Sequence, residues 1–352
     1  DVIAPLNREG DEQGCKLNNG KVVTPEGFAA AYQSYVENGW NAMLGDIEYG
    51  GQGLPYSMAV PVHEMLNSAN LSWRLTTMLT ESAVLAVTKH ASDELKAQYL
   101  EKLVSGQWTG TMNLTEPQAG SDLSLLATKA EPNEDGSYNI TGSKIFITAG
   151  DHDWTENIVH MVLARLPDAP AGVKGISLFL VPKLLLNENG NPGEQNAVTP
   201  SALEKKMGIK GSSTVQLYFD NCKIPVENML GERQGGFKMA LNILNTGRIK
   251  LGAGGVGAGK FTVDRCVKFA KERRQFGQPI ADFGVIKHKL GDIAAKSFAL
   301  DAAVYRTGYN VDLKTEEFLA NGMSDGDAKL NAVREFAVEC SILKTKGSEL
   351  AC

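Results

Sequence analysis

Thr111–Gly150 reads TMNLTEPQAGSDLSLLATKAEPNEDGSYNITGSKIFITAG, and the fold turns on how this stretch is read. Its first third, Leu114–Asp122, is a polar turn without periodicity. Pro117 fixes its own φ and leaves Glu116 extended. Gly120 admits a positive φ or a close approach of another group. Ser121 and Asp122 add a hydroxyl and a carboxylate. The last third, Tyr138–Thr148, alternates as a strand does and runs into Phe-Ile-Thr-Ala-Gly. Two hydroxyls (Thr115, Thr148), an aromatic ring (Phe146) and a phosphate-sized loop fall within one short region. The residues leave two readings open: an ordinary β-hairpin with a Pro/Gly turn, or a wall for a flat, polar-edged cofactor with a phosphate tail.

On either side of this stretch the period is helical. Upstream, residues 1–24 read as a polar lead-in loop. Thr24 is a candidate N-cap with Pro25 at the first helical position. Phe28, Ala31, Tyr32 and Tyr35 share one face. Residues 57–70 and 75–91 read as apolar helices, and Ser92 opens another to Val104. From Thr109 the alternation predicts strands at 109–114, 127–131, 138–148, 157–165, 175–182 and 214–219, with 187–200 an exposed loop. After Pro225 the helical period returns at 234–273, at 281–313, and from 325 to the end. The expectation is an α+β multidomain chain: an N-terminal helical domain (1–108), a middle antiparallel β domain (109–225) and a C-terminal helical bundle (226–352), incomplete because its last helix stops in mid-pattern.

Composition narrows the function. At 352 residues the chain can bury a large core, and its charge of -6 argues against a nucleic-acid or membrane-surface protein. No apolar run reaches the length of a membrane span. Five widely spaced cysteines (Cys15, Cys222, Cys266, Cys340, Cys352) read as reduced thiols in a cytoplasmic protein. The five histidines form no ligand pattern, and no metal is expected.

One motif tempts and fails, and a second stays open. Gly252-Ala-Gly254-Gly-Val-Gly257 is a literal GxGxxG, but helix precedes and follows it where a dinucleotide turn needs a strand first. Small residues at a close helix crossing account for it better. Arg273-Arg274-Gln275-Phe276-Gly277-Gln278-Pro279-Ile280 stays double-valued. It is either a basic helix end with a turn, or an anion site in which Arg273 forks onto phosphate and Phe276 stacks on a base.

Together, TEPQAGSD with ITGSKIFITAG, RRQFGQPI, and LEKKMGIKGSSTVQLYFDNCKIPVENMLGE (203–232) resemble the acyl-CoA dehydrogenase family over essentially the whole chain. The first two-thirds are most similar to its 3-methylmercaptopropionyl-CoA dehydrogenase branch, in GDEQGC (10–15), EYGGQGLP (48–55) and GDHDWTENIVHMVLAR (150–165). The resemblance implies FAD, with Leu114 and Thr115 on the flavin edge, Phe146 packed on the ring and Thr148 beside N5. Gly120 and Ser121 would line the phosphate region and acyl-CoA entrance, and Arg248 would sit near CoA. Arg273, Gln275 and Phe276 would reach the FAD of a neighbouring subunit, implying a homodimer or homotetramer.

The implied activity is α,β-dehydrogenation of an acyl-CoA thioester, with electrons passed to electron-transfer flavoprotein. The alternatives are an acyl-CoA oxidase or flavin monooxygenase on the same fold, or a silent relative that binds CoA esters. The chemistry asks for a carboxylate base at the α-carbon. In most of the family it is a Glu far downstream, expected here beyond Cys352; a minority place it where this chain has Gly247. Glu116, next to Pro117, reads as a structural acid.

Overall fold

A computed structural model describes residues 1–351; Cys352 lies outside the described residues. Residues up to Leu54 pack with Ser72–Leu244 as one compact unit. Pro55–Leu71 and the chain from Asn245 on form a second. The helical, β, helical order along the chain is present.

In the first unit, α1 (Leu6–Gln13) leads into a hairpin of β1 (Lys16–Asn18) and β2 (Lys21–Val23), followed by α2 (Phe28–Glu37). The expected lead-in loop is therefore structured. Its helix carries no apolar stripe to read, because its one buried residue is Gly10, set against Phe28. Thr24 does not cap α2, which starts after Gly27 at φ 83°. The Thr24 hydroxyl instead donates to Asp153 Oδ1 (2.6 Å) and accepts from Trp154 Nε1 (2.8 Å), tertiary partners that outcompete a cap. The next helix, α3 (Tyr56–His90), begins in the second unit and enters the first at Ser72; it is two helices joined at a kink, with no loop, where a gap at 71–74 is expected. Its sole interruption is Asn70, whose φ of −162° and ψ of 95° are not helical. Ser92 caps α4 (Asp93–Val104) by accepting from Leu95 N.

The strands follow as β3 (Trp108–Asn113), β4 (Lys129–Pro132), β5 (Tyr138–Thr148), β6 (Asn157–Arg165) and β7 (Ile176–Pro182). After them come β8 (Leu184–Leu186), β9 (Pro192–Gln195), β10 (Val198–Leu203), β11 (Thr214–Ile224) and β12 (Met229–Leu230). Among the described residues eight of these form one sheet, in the order β10-β11-β5-β4-β6-β7-β12, with β3 beside β6. Its pairings are antiparallel except that β3 runs parallel to β6 and Lys129 pairs parallel with Arg165. Residues 187–200 are not a loop. They hold β9 and the start of β10, and the Asn187 carboxamide turns the β8–β9 hairpin by accepting from Asn189 N and Asn191 N. The run is polar because the hairpin is exposed.

Alternation explains the sheet's burial. On β6 and β7, Met161, Leu163, Leu178 and Leu180 pack into a core with α3 and α4. Val162, Ala164, Phe179 and Val181 pack into a second core with Ile140, Ile147 and Phe219. Both strands are buried on both faces and read as continuous apolar runs for that reason.

The second unit contains the later part of α5 (Gly236–Glu272), a short hairpin of β13 (Arg274–Gln275) and β14 (Gln278–Pro279), α6 (Gly284–Ala320), α7 (Asp325–Glu335) and α8 (Ala337–Ala351). The single last helix expected from 325 is two, broken at Phe336 (φ −97°, ψ 27°). The GxGxxG lies inside α5, where a methyl on Gly255 would come within 2.5 Å of Gly347 Cα. The dense glycines are there because two helix backbones touch.

Candidate flavin-facing wall

The six expected site residues of the first unit lie on the loop after β3 and on β5. Ile145 N donates to Thr115 O (2.9 Å), which pins the loop to the strand beside Phe146. Glu116 and Ala119 exchange backbone hydrogen bonds (2.9 and 3.0 Å) and close the Pro117–Gln118 turn.

Beneath the turn lies a buried ion pair. Lys144 Nζ donates to Glu116 Oε1 (2.8 Å) and to Leu114 O (3.2 Å). Glu116 also accepts from Gln118 Nε2, Ala127 N, Thr128 N and Thr128 Oγ1. Burial pushes the Glu116 carboxyl up, but Lys144 and the Thr128 and Ala127 donors outweigh it and hold the group below its usual value. Burial brings Lys144 down to about 8, against the pull of Glu116. One side chain thus fixes Leu114 and Glu116 together, so the loop has a single shape. The sequence carried a signal for this: Lys144 has the inward parity of Ile140, and a charge at an inward position calls for an acid.

The strand is bulged at Phe146. Lys144 pairs with Leu217 and Ile147 with Val215, so Ile145 and Phe146 together oppose Gln216. Phe146 takes φ 57°, a left-handed conformation uncommon for a bulky residue. The bulge lets Lys144 and Ile147, three apart, both point inward, and leaves Phe146 58% exposed. Thr115 and Thr148 are half-buried, and Gly120 and Ser121 are exposed. A methyl on Gly120 would meet nothing nearer than Thr115 Cγ2 at 3.9 Å, so the loop has open space in front of it. An outward aromatic face, two half-buried hydroxyls and a fixed loop fit the edge and face of a flavin.

Behind the wall, Thr109 Oγ1 lies 2.8 Å from His152 Nε2, and Thr111 Oγ1 lies 2.8 Å from His160 Nδ1. Burial pushes both histidines down to about 3. Both are buried partners of β3: His160 lies on β6, and His152 in the turn before it. Among the described residues no group of three or more His, Cys, Asp or Glu could hold a metal.

The other four expected residues are in the second unit. Arg248 Nη1 donates to Asn245 Oδ1 (2.6 Å) and to Ser341 Oγ (3.2 Å). Arg273 directly follows α5, and Gln275 and Phe276 lie on the β13–β14 hairpin, all exposed. Phe276 (φ 52°) and Gly277 (φ 81°) are its two central residues, and positive φ at both marks a type I′ turn. Phe276 is 91% exposed.

The outward aromatic and the fixed polar loop thus lie in a β domain that stands between helical segments along the chain. The chain matches the N-terminal, middle and C-terminal domains of acyl-CoA dehydrogenase over residues 3–107, 111–222 and 234–352, and it belongs to the acyl-CoA dehydrogenase family. It is 44% identical to 3-methylmercaptopropionyl-CoA dehydrogenase of Ruegeria pomeroyi over 78% of this chain and 46% of that protein. It is 33% identical to a probable acyl-CoA dehydrogenase, fadE25, of Mycobacterium bovis over 86% of this chain and 71% of that one. The structure resembles that of an acyl-CoA dehydrogenase from Bacillus anthracis complexed with FAD, at a TM-score of 0.79 and 32% identity, covering 93% and 52% of the two chains. The chain spans about half the length of most of the first curated relatives it matches.

Proposed function

We propose that this chain positions FAD and an acyl-CoA thioester for α,β-dehydrogenation, within a homo-oligomer that passes electrons to electron-transfer flavoprotein. The observation that carries the reading is the bulge at Phe146. A left-handed conformation costs a bulky residue about 1–3 kcal/mol, and with Phe146 left 58% exposed its packing within its own unit is small, so its use lies in what it meets. When bound, FAD supplies the acceptor for the hydride that leaves the β-carbon.

The chain's own residues do the holding. Leu114 offers backbone groups and Thr115 a hydroxyl to the flavin edge, Phe146 covers a face, and Thr148 places its hydroxyl at the reacting end. Gly120 and Ser121 leave room at the thioester entrance, and Arg248 takes the CoA end. Arg273, Gln275 and Phe276 serve the neighbouring subunit's FAD. The free thiols Cys15, Cys222, Cys266 and Cys340 suit the cytoplasm. Glu116 is not the base: its oxygens are taken by five donors, and its pKa is shifted away from the one a base at neutral pH needs.

Titration of the purified protein with FAD tests the reading. Flavin fluorescence should quench saturably, and Thr115→Ala or Phe146→Ala should weaken binding about tenfold, or about 1.4 kcal/mol. Flavin that stays bright at every protein concentration contradicts it. If an acyl-CoA reduces a dye at a rate that Glu116→Gln abolishes while flavin stays bound, the base assignment is wrong.

A further inference from the structure

The β10–β11 connection, Glu204–Ser213, lies at the flavin end of the wall, because β11 opens with Thr214 opposite Thr148. Ala149, itself left-handed at φ 55°, donates to Ser213 O (2.7 Å), so the end of β5 depends on where this connection sits. Little inside the connection holds it: Lys206 Nζ reaches Ser212 O (2.9 Å) and Ser212 N reaches Ile209 O (2.9 Å). Its Met207 is wholly exposed and Ile209 is left-handed at φ 49°.

The missing support comes from the far end of the sequence. Asp11 Oδ1 accepts from Lys210 N (2.8 Å). Cys15 N donates to Lys210 O (3.1 Å), and Cys15 Sγ donates to Gly211 O (3.2 Å). Both polar groups of the Lys210 peptide backbone are thus taken by the N-terminal segment. The approach is close as well: a methyl on Gly211 would lie 3.1 Å from Gly10 O and 3.0 Å from Phe28 Cζ, and one on Gly10 would meet Phe28 Cζ at 2.5 Å. The same segment then grips the other side of the β5 end. Val22 N donates to Asp151 Oδ2 (2.8 Å), and Ser213 Oγ donates to Asp151 O (2.5 Å).

We propose that residues 10–22 are a positioning clamp for the flavin wall, with Asp11 the residue that sets the 206–213 connection and, through Ser213, the backbone of Thr148 and Ala149. Asp11 touches no reacting group and acts only through the connection. The idea deepens the FAD reading and depends on it for its functional consequence; its structural consequence is independent of flavin. A clamp of this kind explains why α1 forms without an apolar stripe: its role is to present a carboxylate and a glycine, and burying side chains is not part of it.

The test compares wild type, Asp11→Ala and Asp11→Asn, with Lys223→Ala as a control that breaks the exposed Asp135–Lys223 pair beside the start of β5. Amide hydrogen exchange is measured on the protein without added flavin. Asp11→Ala should speed exchange at 148–150 and 206–213 by roughly tenfold, the loss of one charge-assisted hydrogen bond. Asp11→Asn keeps an acceptor oxygen and should restore most of the protection. Lys223→Ala should leave these amides unchanged. In the FAD titration, Asp11→Ala should weaken binding several-fold and Asp11→Asn should not. Faster exchange confined to residues 9–15, or FAD affinity equal to wild type in Asp11→Ala, overturns the clamp. A wild type that does not bind FAD overturns the functional reading, and the exchange data then decide the clamp alone.

Discussion

Phe146 and Phe276 carry the same backbone anomaly in two settings. Both are left-handed, at 57° and 52°, and both are exposed. Phe146 sits in a bulge within an eleven-residue strand, between the buried Lys144 and Ile147, and the adjacent loop is tied down by the Lys144–Glu116 pair. Phe276 sits at the tip of a two-residue turn, with Phe283 edge-on at 6.1 Å. The sheet over-determines the first, and almost nothing local determines the second. A strained aromatic held by a rigid frame is ready for a ligand that its own unit receives. A strained aromatic with no frame reads as a part whose frame is supplied by whatever it docks against.

Removing the frame should have the largest effect. Glu116→Ala leaves the Lys144 ammonium buried without its counter-charge and should destabilise the first unit by about 3–5 kcal/mol in denaturant titration. A loss below about 1 kcal/mol would mean the wall is not framed by this pair.

Acid should loosen the same region. His152 and His160 are held neutral down to about 3, by burial first and then by Lys183, and His90 to about 4, by burial and Lys89. Each protonates near 6.5 once unfolded. Between about pH 6.5 and 3 the unfolded chain therefore binds more protons, and stability falls as pH falls. The drop should total several kcal/mol by about pH 4. Tryptophan emission from the packed Trp73–Trp154 pair, 5.8 Å apart, would follow it. A flat profile above about pH 4 would contradict the buried neutral histidines.

The smallest of these changes discriminates best. Phe276→Asn supplies the residue a type I′ turn favours and should stabilise the chain by about 1 kcal/mol, and, on the proposed role of Phe276, should weaken flavin binding. Phe146→Asn gains the same backbone relief, yet its thermal midpoint should rise less, because the ring still rests on the strand surface. If Phe276→Asn lowers the midpoint, the hairpin is framed within its own unit and the contrast between the two phenylalanines fails.

The elements that announce themselves by period are legible in the sequence alone. β5 and β6 fall at 138–148 and 157–165 as their patterns predict, because their burial follows alternation or a continuous apolar run. The N-terminal segment is not legible, because α1 buries a glycine backbone and hydrogen-bonds a loop some two hundred residues away. Thr24 has the residue type of a cap and serves instead as a tertiary partner of Asp153 and Trp154, which no local rule detects. At the site, residue types point to Thr115, Phe146 and Thr148. The bulge that turns Phe146 outward is a property of register with β11, and register is not written in one strand. The Lys144–Glu116 pair lies between: the parity of Lys144 announces a buried charge, but the loop that brings Glu116 beneath it shows no periodicity to follow.

The central claim is tested most directly by a crystal structure of the protein soaked or grown with FAD. The wall predicts the isoalloxazine edge on Leu114 and Thr115, its face against Phe146, and the Thr148 hydroxyl on the ring. Lys144 and Glu116 should keep their present contacts. Flavin bound elsewhere, or a Phe146 that turns inward and leaves the bulge, would contradict it.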